Sequence, residues 1–161
     1  ALPCPRWHHV KSCEFNSGRR ELNMAKPVPQ PTPTEQPFYD ACARGELALQ
    51  HCQNCGHRLF YPRTHCDQCH STDLVWRTAS GAGRIASYTV VRRGVSADFE
   101  APYIVALIDL EEGPRMMSQI IEADPEALAV GLSVTVDFAA WSEEITLPVF
   151  RLHPALAGDH P

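Results

Sequence analysis

Apolar and polar residues alternate with a period of two over most of this chain, and one short stretch near its start breaks that rhythm. In that stretch Phe38, Ala41 and Cys42 recur at i, i+3 and i+4, which places them on one face of a helix. Thr34 or Glu35 opens the helix, Pro37 suits its first turn and Gly45 stops it. Residues 46–51 then alternate, with Leu47, Leu49 and His51 on one side of a strand and Ala48 and Gln50 on the other. Shorter strands are predicted at 58–61 and 74–78. After Gly81-x-Gly83 the strands lengthen. Residues 84–92 place Ile85, Ser87, Thr89 and Val91 on one side. Residues 103–110 are strongly apolar, and an acidic turn joins them to 115–122 as a hairpin. Asp124 caps one helical turn that begins with Pro125, and Gly131 ends it. Residues 132–140 carry Val134, Val136 and Phe138 on one face, and 145–152 form the last strand. Five strands with a short helix between the third and fourth predict an OB-type barrel, with an SH3-like barrel as the structural competitor.

The flanks have other patterns. Across 24–36, Pro27, Pro29, Pro31 and Pro33 alternate with other residues. Such a segment is extended and cannot be helical, so it reads as a linker or an arm laid across a partner. Residues 1–23 show no periodicity and no apolar run of the roughly seven residues that a secretory signal needs. They are expected to be a non-native or disordered extension, with Met24 as the natural start. A second metal site from Cys4, His8, His9 and Cys13 is the alternative. The expected organisation is therefore an extension at 1–23, an arm at 24–36, a helix and ribbon at 37–79, a barrel at 80–153 and a flexible tail at 154–161.

Chemistry concentrates in the ribbon. Cys52 and Cys55 form one C-x-x-C pair, Cys66 and Cys69 a second, with ten residues between. Each pair can turn tightly and point both sulfurs at one centre, which is what a tetrahedral all-sulfur zinc site requires. Such a site has no open position, so one zinc ion held by these four residues would be structural. A rubredoxin-type iron, two disulfides or a thioredoxin-like redox pair are the alternatives. His51, His57, His65 and His70 lie close in sequence, as surface groups or secondary donors. Cys42 is unpaired and suits a small buried apolar role better than a nucleophile's. About 40 residues around a metal cannot build a large core, so the ion must supply much of their stability, on the order of 10–16 kcal/mol.

Charge narrows the function. The formal net charge of the 161 residues is -5; beyond residue 23 there are ten basic and seventeen acidic residues. Nucleic-acid binders carry a basic face, so a single-stranded nucleic-acid module is the weaker alternative. No apolar run approaches the roughly 18–20 residues needed to cross a bilayer, and metal-type cysteine spacing fits a reducing compartment, so a cytoplasmic protein without a membrane partner is expected. No Ser-His-Asp or Cys-His constellation and no phosphate-cradling loop stands out, so no catalytic residue is assigned. Arg92 and Arg93, at the base of the loop 94–101, are solvated charges or contacts for a phosphate-bearing ligand. Tyr88 and Trp141 are core aromatics or stacking platforms.

The stretch from Met24 to about His153 resembles a known family, the rubredoxin-like zinc ribbon plus OB-fold proteins long catalogued as a domain of unknown function. The matching pieces are Pro31-Thr32-Pro33, Pro37-Phe38-Tyr39, Gly45-Glu46-Leu47, Cys52-x-x-Cys55-Gly56, Tyr61-Pro62-Arg63, Cys66-x-x-Cys69, Ser71-Thr72, Gly81-x-Gly83 and Pro102-Tyr103. The resemblance implies a non-catalytic accessory subunit that docks on a thiolase-fold acyl-CoA enzyme, such as a thiolase, an acyltransferase or an aldolase of steroid side-chain breakdown. It implies a hetero-oligomer in which the partner performs the carbon–carbon chemistry and a coenzyme A thioester is contacted together with that partner.

Overall fold

The computed structural model describes residues 27–94 and 99–153. The expectations for 1–23, for the first residues of the arm, for the middle of the loop 94–101 and for 154–161 lie outside the described residues. The architecture is mostly β, as the alternation predicts. Helix α1 (Gln36–Ala43) is followed by a three-stranded antiparallel sheet of β1 (Ala48–Cys52), β2 (Arg58–Leu59) and β3 (Leu74–Thr78), in the order β2-β1-β3. A closed barrel follows, built from β4 (Ala82–Val91), β5 (Tyr103–Leu110), β6 (Arg115–Ile120), β7 (Ser133–Ala140) and β8 (Thr146–Leu152). Its strand order is β4-β5-β6-β8-β7, with β7 returning to β4. A 3-10 turn, Pro125–Ala127, sits between β6 and β7, with the Asp124 carboxylate accepting from Glu126 N–H at 3.0 Å. This is the OB plan: a meander of three strands, a short helix, then two strands that close the barrel.

Local signals explain the boundaries. Before α1, the Glu35 carboxylate accepts from both the Thr32 N–H at 2.8 Å and the Thr32 hydroxyl at 2.9 Å, closing the turn that leads into the helix. After α1, Gly45 at φ +74° donates to Cys42 O and Glu46 N–H donates to Ala41 O, which is the paired closure of a Schellman motif. Gly81-x-Gly83 marks where the barrel closes. A Cβ on Gly81, at φ +76°, would stand 2.2 Å from Val136 Cγ1, and one on Gly83 would stand 2.8 Å from Asp109 O. Only glycine lets β4 lie this close to both neighbours.

The structure corrects one pattern. The sequence puts Ile85, Ser87, Thr89 and Val91 on one side of β4. The pairing with β5 slips between Ile85 and Ser87, so a β-bulge inserts one residue and exchanges the faces beyond it. Ile85 is buried, Tyr88 and Val90 continue the inward face, and Ser87 and Thr89 face water. Tyr88 therefore packs against the core, and its hydroxyl donates to Leu128 O at 2.9 Å.

Ribbon and barrel share one core. The main apolar cluster joins Phe38, Cys42, Leu47 and Leu49 to Ile85, Ile108, Met116, Val134 and Phe150, with Phe60 and Trp76 packed against it. Helix α1 contacts both β1 and β8. A separate small cluster of Cys52, Leu59 and Cys66 sits under the two cysteine turns.

Candidate metal centre

The two cysteine turns have the same backbone. Cys52 N–H donates to His57 O and Gly56 N–H returns to Cys52 O; Cys66 N–H donates to Ser71 O and His70 N–H returns to Cys66 O. The residue four beyond the first cysteine has positive φ in both, +76° at Gly56 and +60° at His70. β1 delivers the first turn at its end, and the ten-residue interval carries the second turn back above it.

These turns gather Cys52, Cys55, Cys66 and Cys69 so that all four sulfurs lie within 4.8 Å of one another. Cys52 Sγ is 3.5 Å from Cys69 Sγ, and Cys55 Sγ is 3.6 Å from Cys66 Sγ. A tetrahedral zinc with Zn–S bonds of about 2.3 Å needs sulfurs about 3.8 Å apart. The close pairs span the two turns, whereas a disulfide would need sulfurs at about 2.05 Å. The donor set and its size therefore fit one four-coordinate ion with no vacant position. The sulfurs are electrostatically unequal. The Asn54 side-chain amide, 3.5 Å away, and the Ser71 backbone N–H pull the Cys69 thiol down to about 6. The backbone N–H of His57 favours the Cys55 thiolate, but the neighbouring sulfurs and desolvation outweigh it and push that thiol up to about 12. Four thiolates crowd together comfortably only around a cation.

None of the four nearby histidines joins the cluster. His57 Nε2 lies 3.1 Å from Asp67 Oδ1, which ties the strand after the first turn to the second turn. His65 and His70 are exposed with ring centroids 6.3 Å apart. Half-buried His51 lies one residue before Cys52. Cys42 is fully buried against the core, and desolvation pushes its thiol up to about 12, which suits packing and not nucleophilic attack. Arg92 and Arg93 are both exposed at the end of β4. The Trp141 indole N–H donates to Pro27 O at 2.9 Å.

Two polar features were not visible in the sequence. Gln50 is 5% exposed; its amide donates to Arg63 O at 2.9 Å and accepts from Arg63 N–H at 2.7 Å, pinning the interval between the turns. Its only signal was a polar residue inside an apolar strand. Glu112, in the β5–β6 turn, joins barrel to ribbon. One carboxylate oxygen accepts from Ser80 N–H at 2.6 Å, and its backbone carbonyl accepts from Arg58 at 3.4 Å.

Comparison with known proteins adds the lineage. The family profile described as "ChsH2, rubredoxin-like zinc ribbon domain" matches residues 40–75, and "ChsH2, C-terminal OB-fold domain" matches 76–139. A DUF35 domain-containing scaffold protein of Methanothermobacter thermautotrophicus is 36% identical over 104 residues, which cover 63% of this chain and 77% of that protein. A probable enoyl-CoA hydratase alpha subunit of Thermomonospora curvata is 33% identical over 114 residues, 71% of this chain; the match spans only 36% of that longer relative. Among solved structures, a chain of the "Ltp2-ChsH2(DUF35) aldolase" is 31% identical with a TM-score of 0.72, and the similarity covers 78% of this chain and 98% of that one.

Proposed function

Since this chain belongs to the DUF35 family of scaffold proteins, which pair a zinc ribbon with an OB-fold, we propose that it is a non-catalytic accessory subunit of an acyl-CoA enzyme. Its partner is a thiolase-fold subunit, of thiolase, aldolase or acyltransferase type, and the two form a hetero-oligomer. Cys52, Cys55, Cys66 and Cys69 hold one structural zinc. That ion supplies no reacting position; it fixes the two turns so that the ribbon is a rigid knob on the barrel. The docked chain stabilises the partner or shapes the channel through which the coenzyme A thioester reaches it. Holding a thioester in reacting geometry removes much of the entropic barrier, so a subunit with no catalytic group can still control turnover.

The observation that carries this reading is the likeness, over 98% of that chain and 78% of this one, to a chain of the Ltp2-ChsH2(DUF35) aldolase, whose name joins two proteins in one enzyme. The ribbon's own chemistry agrees, since every sulfur in the centre comes from the chain and the described residues outside it gather no comparable group of His, Cys, Asp and Glu. Affinity purification of the full chain from its source cell should bring down a thiolase-fold subunit. Removing the chain should lower that subunit's turnover of acyl-CoA or its solubility. A partner whose assembly and kinetics are the same with and without this chain defeats the proposal.

A further inference from the structure

The proline-rich arm lies against the barrel. Pro29 and Pro31 are half-buried, whereas Val28, Gln30 and Thr32 are exposed, so an extended segment lays one side on the protein. Pro27 O accepts the Trp141 indole N–H at 2.9 Å, across a sequence separation of 114 residues. Trp141 follows β7, and its backbone N–H donates to Ile145 O where the chain turns toward β8. Its ring centroid is 5.9 Å from that of Phe99, which is 6.0 Å from that of Tyr103, the first residue of β5. Two aromatics from the β4–β5 connection and one from the β7–β8 connection thus meet at the barrel end where these connections converge.

A proline-rich segment has few N–H groups to offer. It is already extended, and its carbonyls are free to accept. What recognises such a segment is an aromatic surface that carries a well-placed donor. Trp141 supplies both the ring and the donor. We propose that the Trp141, Phe99 and Tyr103 corner is a docking site for an extended proline-rich segment, and that its resident is this chain's own arm, residues 27–33. Fixed proline φ angles keep the ordering cost low. At its far end the arm is anchored by the bonds from Thr32 to Glu35, so it is held at both ends. OB barrels commonly take ligands at the loops that gather here. A ligand approaching this end must displace the arm. Docking of the arm does not depend on the chain being an accessory subunit.

Nuclear magnetic resonance of the indole N–H groups tests it. The Trp141 signal is identified by its loss in Trp141→Phe. In the full chain that signal should lie away from its position in a chain shortened to begin at residue 31, which keeps Thr32 and the helix cap. A synthetic peptide of residues 24–33 should return it saturably toward the full-chain position. In the full-length Trp141→Phe protein, which keeps an aromatic ring but loses the donor, a protease should cut the arm faster by about fivefold, the worth of one hydrogen bond. An indole signal that shortening leaves unmoved overturns the proposal. So does a peptide without effect at about ten times the millimolar effective concentration of a tethered segment. Cleavage of Trp141→Phe at the wild-type rate overturns it as well, without relying on the shortened chain.

Discussion

Gln50 shows how one side chain can hold a loop that the metal alone does not reach. Its amide completes two bonds with the Arg63 backbone from inside the core. Gln50→Leu should fit the space but leave the Arg63 N–H and C=O without their partner, at about 0.5–1.5 kcal/mol for each lost bond. A lower urea midpoint with unchanged zinc content is the expected result; loss of zinc instead would place Gln50's role at the metal. His70 makes the opposite case, because it occupies a left-handed position that Gly56 fills in the sister turn. His70→Gly should raise stability by about 0.5–1 kcal/mol, measured by thermal melting, because the αL geometry strains any side chain with a Cβ. At this scale the sequence was readable where spacing alone decides. Two C-x-x-C pairs dictate converging sulfurs whatever surrounds them. The Asn54 contact with Cys69, the His57–Asp67 pair and the Gln50 clamp depend on how one turn sits above the other, which no local pattern encodes.

Among the elements, β4 is legible as a strand, although it begins two residues earlier and ends one residue earlier than its alternation suggests, and its faces exchange in the middle. Alternation counts residues, and a bulge adds one without any mark in composition, so Ile85 does not share a face with Ser87, Thr89 and Val91 as the alternation suggests. Strand β5, apolar on nearly every residue, was found to its exact bounds because its inward face needs no register to be recognised. The barrel's closing contact is the sensitive one. Gly81→Ala would force a positive φ onto a residue with a Cβ and drive that Cβ into Val136. We expect a loss of about 2–4 kcal/mol in denaturant unfolding; wild-type stability would mean that β4 and β7 can separate freely. The turn before α1 should respond to acid. Thr32 holds the Glu35 carboxyl below its usual range through backbone and side-chain hydrogen bonds. A depressed folded value means this contribution is present above the unfolded carboxylate value of about 4.3 and fades as pH falls through the lower folded value. Relative to the intrinsic exchange rate at each pH, protection of the Thr32 and α1 amides should therefore fall below about pH 4, and Glu35→Gln should show the lowered protection at neutral pH without that acid dependence.

For the whole molecule, the ribbon and barrel were legible as two units, whereas their common core was not, since Phe38, Leu47 and Phe150 meet only after both have folded. Chelation tests that union. Stripping the metal should first release the amides of residues 48–78 to exchange. It should then lower the barrel's melting temperature by several degrees, because β1 and α1 contribute to the same apolar cluster. Exchange confined to the ribbon, with barrel melting unmoved, would mean the two are mechanically separate. The net charge of -5 sets a further expectation. Single-stranded oligonucleotides at low salt should show no measurable retention, since phosphate contacts supply most of such affinity.

The seat of α1 on β8 binds the first described element to the last. During synthesis the helix leaves the ribosome about a hundred residues before the strand that covers it has been made. Until then only β1 and its neighbours lie against it, so the side of its apolar stripe that β8 covers stays exposed, or is sheltered by a chaperone, for several seconds at translation rates of about 5–20 residues per second. The long-range closure that follows makes folding slow relative to a bundle of local contacts. A nascent chain stalled before Thr146 is thus the species most exposed to aggregation, and its rescue depends on the final seven-residue strand.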